Sequence, residues 1–252
     1  MHRPRLIPVL LLKDKALVKT IGFRNPKYIG DPLHAVHIFN ELKADELVFL
    51  DIDASKQGRT IDTELVRKIG EEADMPFSVG GGIRSIEDIR KLLACGAEKV
   101  VINSMAADDP EFIRKASDEF GSSTIVVCMD VKKKWLVGSR IWSYGGTKSS
   151  DMNPEKFALL MQNNGAGELI VQSIERDGKM TGYDVDLVRS VSEHVTIPVV
   201  ALGGAGNLDH MRDVYERGFA DGLAAGSFFV YQSTRRGVLI NYPDRAAFHV
   251  ER

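Results

Sequence analysis

Short apolar runs alternate with amphipathic segments along most of this chain. The runs are rich in Val, Ile and Leu and are almost uninterrupted by polar residues, which is typical of strands buried on both faces of a parallel sheet. Eight are predicted as strands, at residues 5–12, 46–51, 77–80, 99–103, 124–130, 168–172, 198–202 and 222–225. Because helical patterns separate them, the sequence predicts a (β/α)8 barrel, or TIM barrel.

Capping residues mark where the helices begin. Asp31, Asp109 and Asn153 each precede a proline, a pairing typical of an N-cap and the first helical position. Ser85 and Asp88 have the spacing of a capping box ahead of residues 86–94. The other helices are predicted at 31–43, 62–72, from 110 onward, 154–164, 185–193 and 208–217.

Three segments do not fit the alternation of strand and helix. Residues 13–30 are predicted as a long loop, and long loops in compact domains often act as lids or binding loops. Residues 132–145 are predicted as a small hairpin inserted above the barrel. Residues 231–252 should hold an eighth helix, but Pro243 interrupts the segment, so we expect an atypical tail.

The stretch at 77–83, Phe-Ser-Val-Gly-Gly-Gly-Ile, recurs in altered form at 199–205, Val-Val-Ala-Leu-Gly-Gly-Ala. The same spacing relates Gly81 to Gly203, Pro76 to Pro198 and Gly96 to Gly218. Self-similarity at one fixed spacing indicates a repeated structural unit. We therefore predict a single domain, 1–252, built from two duplicated half-barrels at about 1–120 and 121–230.

Glycines at strand ends let an anion approach backbone N–H groups, so phosphate is the simplest ligand for these turns. A plain tight turn between strand and helix is the alternative interpretation. Two phosphate sites on opposite sides of the barrel mouth are predicted, and they suit a ligand with two phosphates. Their candidate residues are Gly82, Asn103 and Ser104 on one side, and Gly178, Gly204, Gly226 and Ser227 on the other.

Composition narrows the class of protein. The chain has 252 residues, a net charge of −2 and no long basic run, so a nucleic-acid partner is not expected. Cys95 and Cys128 are expected to be buried thiols in a reducing cytosol. The first apolar run is too short to span a membrane and lacks a cleavage site for a leader. We therefore expect a cytoplasmic protein with no membrane partner, no metal and no cofactor.

Catalytic candidates follow from the alternation of side chains along a strand. Asp130 ends the fifth predicted strand, at the face where TIM barrels place their active sites. The matching position on the first strand is Leu11, so a facing carboxylate is missing there. Asp51 and Asp177 are candidate substitutes, although Asp177 lies in an Arg-Asp-Gly stretch that is also a common turn. For Asp130 itself, the alternatives are a helix cap or a loop salt bridge.

Four charged residues lie at the opposite end, where predicted strands begin: Arg5, Glu46, Lys99 and Glu168. If they point inward, they must pair, because an unpaired buried charge is costly. Arg5 and Leu11 share one face of the first strand and lie about 16 Å apart along the barrel axis. Solvated strand edges that only stabilise the fold are the alternative interpretation. A paired ring can also act as a gate.

Several motifs together resemble those of the cyclase subunit of imidazole glycerol phosphate synthase, HisF. They are Glu-Leu-Val-Phe-Leu-Asp-Ile at 46–52, the glycine stretch at 77–83, Lys-Val-Val-Ile-Asn at 99–103, Ser-Ile-Glu-Arg-Asp-Gly at 173–178 and Gly-Gly-Ala-Gly at 203–206. The resemblance covers about residues 5–230. It implies a barrel that binds a bisphosphorylated ribonucleotide at its mouth and a glutaminase at its bottom, with ammonia passing between them. It also implies a gate at Arg5, Glu46, Lys99 and Glu168, a loop lysine at Lys19 and a catalytic aspartate at Asp130.

Departures from the HisF pattern gather at the mouth. Leu11 stands where the family has its other catalytic aspartate, Leu202 replaces a phosphate-site serine and Gln172 replaces a threonine. A serine position after the last strand falls on Gly226, although Ser227 is adjacent. These changes resemble a paralogous branch associated with amidation of sugars in bacterial surface polysaccharides.

The resemblance leaves three functions to weigh. The first is an ammonia-channelling barrel that works with a glutaminase and a separate sugar amidotransferase. The second is a genuine cyclase and lyase of histidine biosynthesis, in which Asp51 or Asp177 replaces the missing aspartate. The third is a phosphosugar-binding scaffold without ammonia traffic, which the four retained charges argue against. Related isomerases also use two aspartates at these positions, so Leu11 counts against an isomerase.

Overall fold

The computed structural model describes residues 4–232, 237–244 and 248. Within these residues, eight parallel strands close into a barrel, as the sequence predicted. They are β1 (Arg5–Lys13), β4 (Leu47–Asp51), β5 (Phe77–Gly80), β6 (Lys99–Ile102), β7 (Ile125–Lys134), β10 (Glu168–Ser173), β11 (Val199–Leu202) and β12 (Gly222–Ala225). Each strand pairs with its neighbour in this order, and β12 returns to pair with β1.

Helices follow the strands around the outside of the barrel. They are α1 (Pro32–Glu41), α2 (Thr63–Glu72), α3 (Ile86–Ala94), α4 (Ser104–Asp108), α5 (Glu111–Phe120), α6 (Pro154–Asn163), α7 (Val185–Ser192), α8 (Leu208–Gly218) and the short α9 (Ser227–Val230). Asp31 caps α1 by accepting a hydrogen bond from the His34 N–H at 3.0 Å. The capping box of Ser85 and Asp88 is confirmed at the start of α3.

Two hydrophobic clusters show how the strands bury both faces. The larger cluster lies between the barrel and its helices. The smaller one fills the barrel interior and contains Ile7, Val9, Val48, Val101, Val126, Cys128, Ile170, Val200, Leu202 and Ala224. Because Ile7 and Val9, and likewise Val126 and Cys128, lie at alternate positions, the inward faces predicted for the first and fifth barrel strands are confirmed.

The repeated glycine stretches occupy opposite sides of the barrel. β5 and β11 are four positions apart in the closed order of the eight barrel strands described above. Gly82 has φ +67°, and a Cβ there would lie 1.8 Å from the Arg59 carbonyl oxygen. Gly204 has φ +111°, and its Cβ would lie 2.1 Å from the Gly182 carbonyl oxygen. Both turns therefore require glycine, while the duplication of half-barrels stays a prediction.

The prediction of a loop at residues 13–30 was wrong. This segment forms a hairpin of β2 (Ala16–Ile21) and β3 (Arg24–Gly30), and β2 pairs antiparallel with the end of β1. Gly22 and Phe23 join the strands with φ values of +57° and +62°. Positive φ at both central residues is the geometry that favours two-residue hairpin turns.

The predicted hairpin above the barrel is present. β7 runs on past the barrel rim and turns back as β8 (Gly138–Ser143), which pairs with the two-residue β9 (Lys148–Ser149). The tail also departs from a regular barrel, as expected. In its described part, Tyr231 bridges to Val238, and Tyr242 stacks on Phe229 with 5.5 Å between ring centroids. The predicted tail positions 233–236, 245–247 and 249–252 lie outside the described residues.

Both cysteines are free thiols. Cys128 is buried as expected, whereas Cys95 is partly exposed, because it lies at the C-terminal end of α3 on the barrel's outer surface. In the part of the chain that the structure describes, no helix has the length and apolar character needed to cross a bilayer.

Candidate functional site

The four charges at the strand starts converge at the bottom of the barrel. Arg5 forms ion pairs with Glu46, at 2.5 Å, and with Glu168. Lys99 Nζ lies 2.8 Å from Glu168 and 3.8 Å from Glu46. Both carboxylates are almost fully buried, and Ser78 donates a further hydrogen bond to Glu46 at 3.0 Å. The expected convergence of these four residues, hereafter the bottom ring, is confirmed.

The bottom ring remains accessible from outside. The Arg5 side chain is 34% exposed, compared with 6% for Glu46. A cleft of about 330 Å³ opens beside Arg5 between Ala44–Asp45 and residues 74–76. Burial lowers the pKa of the Arg5 guanidinium, but Glu168 and Glu46 raise it by more, so the net shift is upward. The ring is therefore a set of fixed, paired charges that faces solvent through Arg5.

A cavity of about 360 Å³ opens at the other end, inside the carboxyl ends of the strands. All eleven residues predicted for catalysis or phosphate binding line it: Lys19, Asp51, Asp130, Asp177, Gly82, Asn103, Ser104, Gly178, Gly204, Gly226 and Ser227. The apolar interior cluster separates this cavity from the bottom ring. The cavity, hereafter the mouth, therefore brings the predicted residues together.

Asp130 lies on the inward face of β7 and is 7% exposed. Burial raises the pKa of its carboxyl group to about 7, and the negative charge of Asp177 contributes to this rise. The Cys128 thiol, 3.8 Å from Oδ1 of Asp130, acts in the opposite direction as a weak donor. A carboxyl group that titrates near neutral pH can act as a general acid or base.

Lys19 reaches into the mouth from the hairpin of β2 and β3 and is 4% exposed. Its ammonium group donates a hydrogen bond to the Val9 carbonyl oxygen at 2.5 Å. Burial lowers the pKa of Lys19 to about 8, although the charge of Asp177 opposes this shift. A Cβ at position 226 would lie 2.3 Å from Nζ of Lys19, so Gly226 leaves room for this ammonium.

Asp177 holds the hairpin of β2 and β3 over the mouth. Its carboxylate accepts hydrogen bonds from Oγ1 of Thr20 at 2.8 Å and from the Phe23 N–H at 3.2 Å. Its carbonyl oxygen accepts another from the Gly22 N–H at 3.1 Å. Burial raises the pKa of Asp177, while these hydrogen bonds and Lys19 act to lower it. The carboxylate thus ties down the lysine-bearing hairpin.

Asp51 is already engaged by its own loop. Its Oδ2 lies 2.6 Å from Nη1 of Arg59, and its Oδ1 accepts from the N–H groups of Asp53 and Ala54 at 3.1 Å. These contacts organise the loop around the first glycine turn, next to Gly82. A free general base at Asp51 would require this set of bonds to open.

The first predicted phosphate site has its polar side chains bonded to the protein. Ser104 Oγ accepts from the Tyr144 N–H at 3.1 Å and donates to Asn103 Oδ1 at 3.3 Å. Asn103 Nδ2 donates to the Cys128 carbonyl oxygen at 2.8 Å. These side chains therefore set the shape of the turn, and the backbone N–H groups are its remaining donors.

Comparison with known proteins identifies the family. Residues 5–235 match the family described as Histidine biosynthesis protein. A Pseudomonas aeruginosa protein, provisionally named imidazole glycerol phosphate synthase subunit hisF2, is 43% identical over 244 residues, or 97% of each chain. This chain belongs to the HisF family.

Two further relatives carry the HisF name. A Leptospira borgpetersenii protein, also named provisionally, is 42% identical over 245 residues, covering 97% of this chain and 96% of the relative. The imidazole glycerol phosphate synthase subunit HisF of Geobacillus thermodenitrificans is 41% identical over 239 residues, covering 94% and 95%.

The mouth of this HisF-family barrel is unusually apolar on one side. Leu11, at the position where the resemblance implies an aspartate, packs with Leu50 against the interior cluster that contains Leu202. Gln172 is buried on the neighbouring strand β10. A carboxylate facing Asp130 is therefore absent from position 11, and the ionisable side chains of Lys19 and Asp177 line the same cavity as Asp130.

Sequence reasoning missed the residues that hold these groups in place. Thr20, Phe23, Arg59 and Tyr144 position Asp177, Asp51 and Ser104 through the contacts described above. No motif marks them, because three of these contacts join segments that are far apart in sequence, and the fourth, between Arg59 and Asp51, spans a loop with no recognisable pattern. For Cys128, the same inward face that identified Asp130 was sufficient to place it in the barrel interior.

Proposed function

We propose that this HisF-family barrel is the ammonia-conducting subunit of a glutamine amidotransferase complex. A glutaminase partner docks at the bottom ring, and ammonia leaves at the mouth to amidate a sugar of a surface polysaccharide, carried by a separate amidotransferase. The observation that carries this proposal is the bottom ring itself. All four of its charged side chains form ion pairs, and they do so at the bottom of the barrel, where residues usually contribute only to stability.

Energetics favour a functional reason for the ring. Replacing buried ion pairs by well-packed apolar residues is often neutral or stabilising, so such a ring is weak support for stability alone. The interior above it is apolar and built from small residues such as Val9, Val48, Val101 and Ala224. A neutral, small molecule such as ammonia suits that interior better than an ion does, because ions pay a large desolvation cost there.

Two functions can be compared at the mouth: delivery of ammonia to another enzyme, and cyclisation of a substrate by the barrel itself. The residues of the mouth favour delivery. Leu11 and Leu202 occupy positions that would otherwise supply polar groups beside Asp130. Loss of one general acid–base group typically costs about 10²–10⁴-fold in rate. Under this proposal, a phosphorylated small molecule binds at the glycine turns but is not cyclised there.

The test of ammonia conduction is a reconstitution of the barrel with its glutaminase. Lys99→Ala removes one ring cation but leaves Arg5 to pair with both carboxylates. We expect this variant to fold normally and to lower the ratio of amidated product to glutamate formed by several-fold. Lys91→Ala, an exposed lysine on α3, is the matched control and should leave the ratio unchanged. If Lys99→Ala leaves the ratio unchanged too, the ring is structural and the proposal fails.

A genuine cyclase and lyase subunit of imidazole glycerol phosphate synthase is the second candidate. What favours it is Asp130, whose pKa of about 7 suits proton transfer, together with Lys19 and Asp177 in the same mouth. Complementation of a histidine auxotroph that lacks this cyclase separates the two functions. Under the first proposal the gene gives no growth without histidine, and Leu11→Asp restores some growth only if the ribonucleotide still binds. Growth at the normal rate with the unaltered gene would establish the second function.

A further inference from the structure

The tip of the hairpin formed by β7 and β8 exposes large apolar side chains. Trp135 is 88% exposed and Leu136 is 83% exposed, while the adjacent Val137 is 46% exposed. Leu136 also has φ +66°, a left-handed conformation that is unusual for a bulky residue. The left-handed residue is part of the hairpin turn, but large apolar side chains that remain exposed indicate contact with something outside the chain.

Basic residues surround this apolar tip. Lys133 and Lys134 directly precede Trp135, and both are exposed. Within the described residues, the ammonium groups of Lys133 and Lys134 take part in no ion pair. Lys132 lies over the ring of Trp142 at 5.1 Å, and Arg140 is half-buried on the returning strand. The tip is therefore positive on a chain whose overall charge is −2, although the Glu175 carboxylate lies beside it, 3.5 Å from the Lys133 backbone nitrogen.

The tip extends from the rim of the mouth. Asp130 is the last inward residue of β7 at the mouth, and Trp135 lies five residues farther along the chain. At roughly 3.3 Å per residue, Trp135 lies about 16 Å from Asp130 along the strand. The tip and the bottom ring therefore lie at opposite ends of the barrel.

We propose that this tip, residues 132–140, binds the surface of an anionic lipid bilayer. Trp is favoured at the interface between membrane and water, and neighbouring lysines are attracted to anionic headgroups. A surface contact of this kind needs only a few apolar side chains and no complementary pocket. The expectation of no membrane partner rested on the lack of a spanning segment, and peripheral binding requires none.

A protein partner at the tip is the less favoured explanation. A stable protein interface buries about 800 Å² on each side, whereas one large aromatic side chain buries only about 150–250 Å². The hairpin tip offers one Trp, one Leu and a half-exposed Val. Such a small projection is sufficient to anchor a loop in a bilayer but supplies only a part of a protein interface.

The two kinds of contact predict separate effects of mutation. Each lysine near an anionic membrane surface strengthens binding by roughly fivefold, so Lys133→Ala with Lys134→Ala should weaken it by about 25-fold. Trp135→Ser with Leu136→Ser should weaken it by about tenfold or more, because the apolar anchor is lost. Leu159→Ser changes a 42% exposed leucine on α6, away from the tip, and is the matched control.

The experiment measures binding of the full chain to extruded vesicles by flotation. We expect binding to phosphatidylcholine vesicles that contain phosphatidylglycerol, little binding to phosphatidylcholine alone, and weaker binding as salt screens the charges. Trp emission should shift to the blue on binding, and Trp135→Phe should abolish the shift while flotation persists. Normal binding by Leu159→Ser completes the expected result.

Three outcomes would overturn the proposal. One is no flotation of the unaltered chain with anionic vesicles at low salt. Another is equal loss of binding in the Leu159→Ser control and the two tip variants. The third is a blue shift of Trp135 that needs the glutaminase or the sugar amidotransferase and occurs without lipid, which would make the tip a protein contact.

Discussion

At the bottom of the barrel, Arg5, Glu46, Lys99 and Glu168 share their charges with one another, two cations facing two anions. At the mouth, Lys19 and Asp130 are buried and Asp177 is half-buried, all with much less compensation, and their pKa values move toward neutral pH. The fold therefore pairs the charged side chains at the bottom, whereas the ionisable groups at the mouth have shifted pKa values. Perturbed titration is typical of functional sites, and paired charge is typical of fixed structures or gates.

The difference follows from geometry as much as from residue type. The strand starts bring Glu46 and Glu168 close to both Arg5 and Lys99, whereas the neighbour on the inward face next to Asp130 on β7 is Cys128. A carboxylate at position 11 would have given Asp130 a further acid within the mouth, and Leu11 removes it. Asp177 is held by the hairpin of β2 and β3, and Asp51 is held by Arg59.

The largest effect is expected from breaking the pairing at the bottom. Glu168→Ala removes the partner shared by Arg5 and Lys99 and leaves two cations for Glu46 alone. Because a buried charge without its partner is costly, we expect the free energy of unfolding in urea to fall by about 4 kcal/mol. Glu175→Ala changes an exposed glutamate in the loop after β10 and should alter this free energy by less than about 0.5 kcal/mol. A similar small change for Glu168→Ala would mean that the ring charges are effectively solvated.

The next effect concerns the pH dependence of stability at the mouth. The pKa of Asp130 is raised to about 7 in the fold, compared with about 3.9 for an unperturbed aspartate. The folded chain therefore keeps a proton that the unfolded chain releases between about pH 4 and pH 7. The contribution of Asp130 to the free energy of unfolding is therefore fully present at low pH, and it is lost as the pH rises through this window.

Asp130→Asn removes this titration. We expect the variant to match the unaltered chain at pH 4 and to exceed it at pH 8 by up to about 4 kcal/mol in urea unfolding. Asp118→Asn, an exposed aspartate on α5, serves as the control and should follow the unaltered chain throughout. Parallel pH profiles for all three proteins would show that Asp130 is ionised at an ordinary pKa.

The smallest effect tests how the interior tunes the mouth. Cys128→Ser places a stronger hydrogen-bond donor beside Oδ1 of Asp130, where the thiol now lies at 3.8 Å. Donation to the ionised form lowers the pKa of a carboxyl group, so the stability profile should shift down by up to about one pH unit. Cys95→Ser, on the outer surface, should leave the profile in place. An unchanged midpoint in Cys128→Ser would mean that burial alone sets the pKa of Asp130.

The sequence predicted most of the barrel because strand and helix differ in period and because caps mark the helix starts. The strand of residues 77–80 and the helix of 86–94 were located without error, since glycines and a capping box bound both. The bottom ring was also predictable, because parity along four strands pointed its residues inward. The hairpin at 16–30 was missed, because its polar residues and the turn at Gly22 and Phe23 resemble a loop pattern.

The mouth was only partly predictable for a different reason. Its lining residues were found, but the partners that their side chains bond are set by the folded structure. Lys19 meets the Val9 carbonyl, Asp177 meets Thr20 and Asp51 meets Arg59, and no local pattern specifies which partner each group finds. Burial of Lys19 is likewise a property of the closed hairpin and not of its own segment.

The contact of Tyr242 with strand β1 bears on how the chain reaches this fold during synthesis. The Tyr242 hydroxyl donates to the Leu6 carbonyl oxygen at 2.9 Å and accepts from the Asp45 N–H at 3.0 Å. Tyr242 and Leu6 are separated by 236 positions in the sequence. The barrel also closes only when β12 pairs with β1. A growing chain therefore exposes an open sheet edge until its last strand leaves the ribosome, and such edges are prone to wrong pairing. At about 5–20 residues per second, that exposure lasts for roughly ten seconds or more.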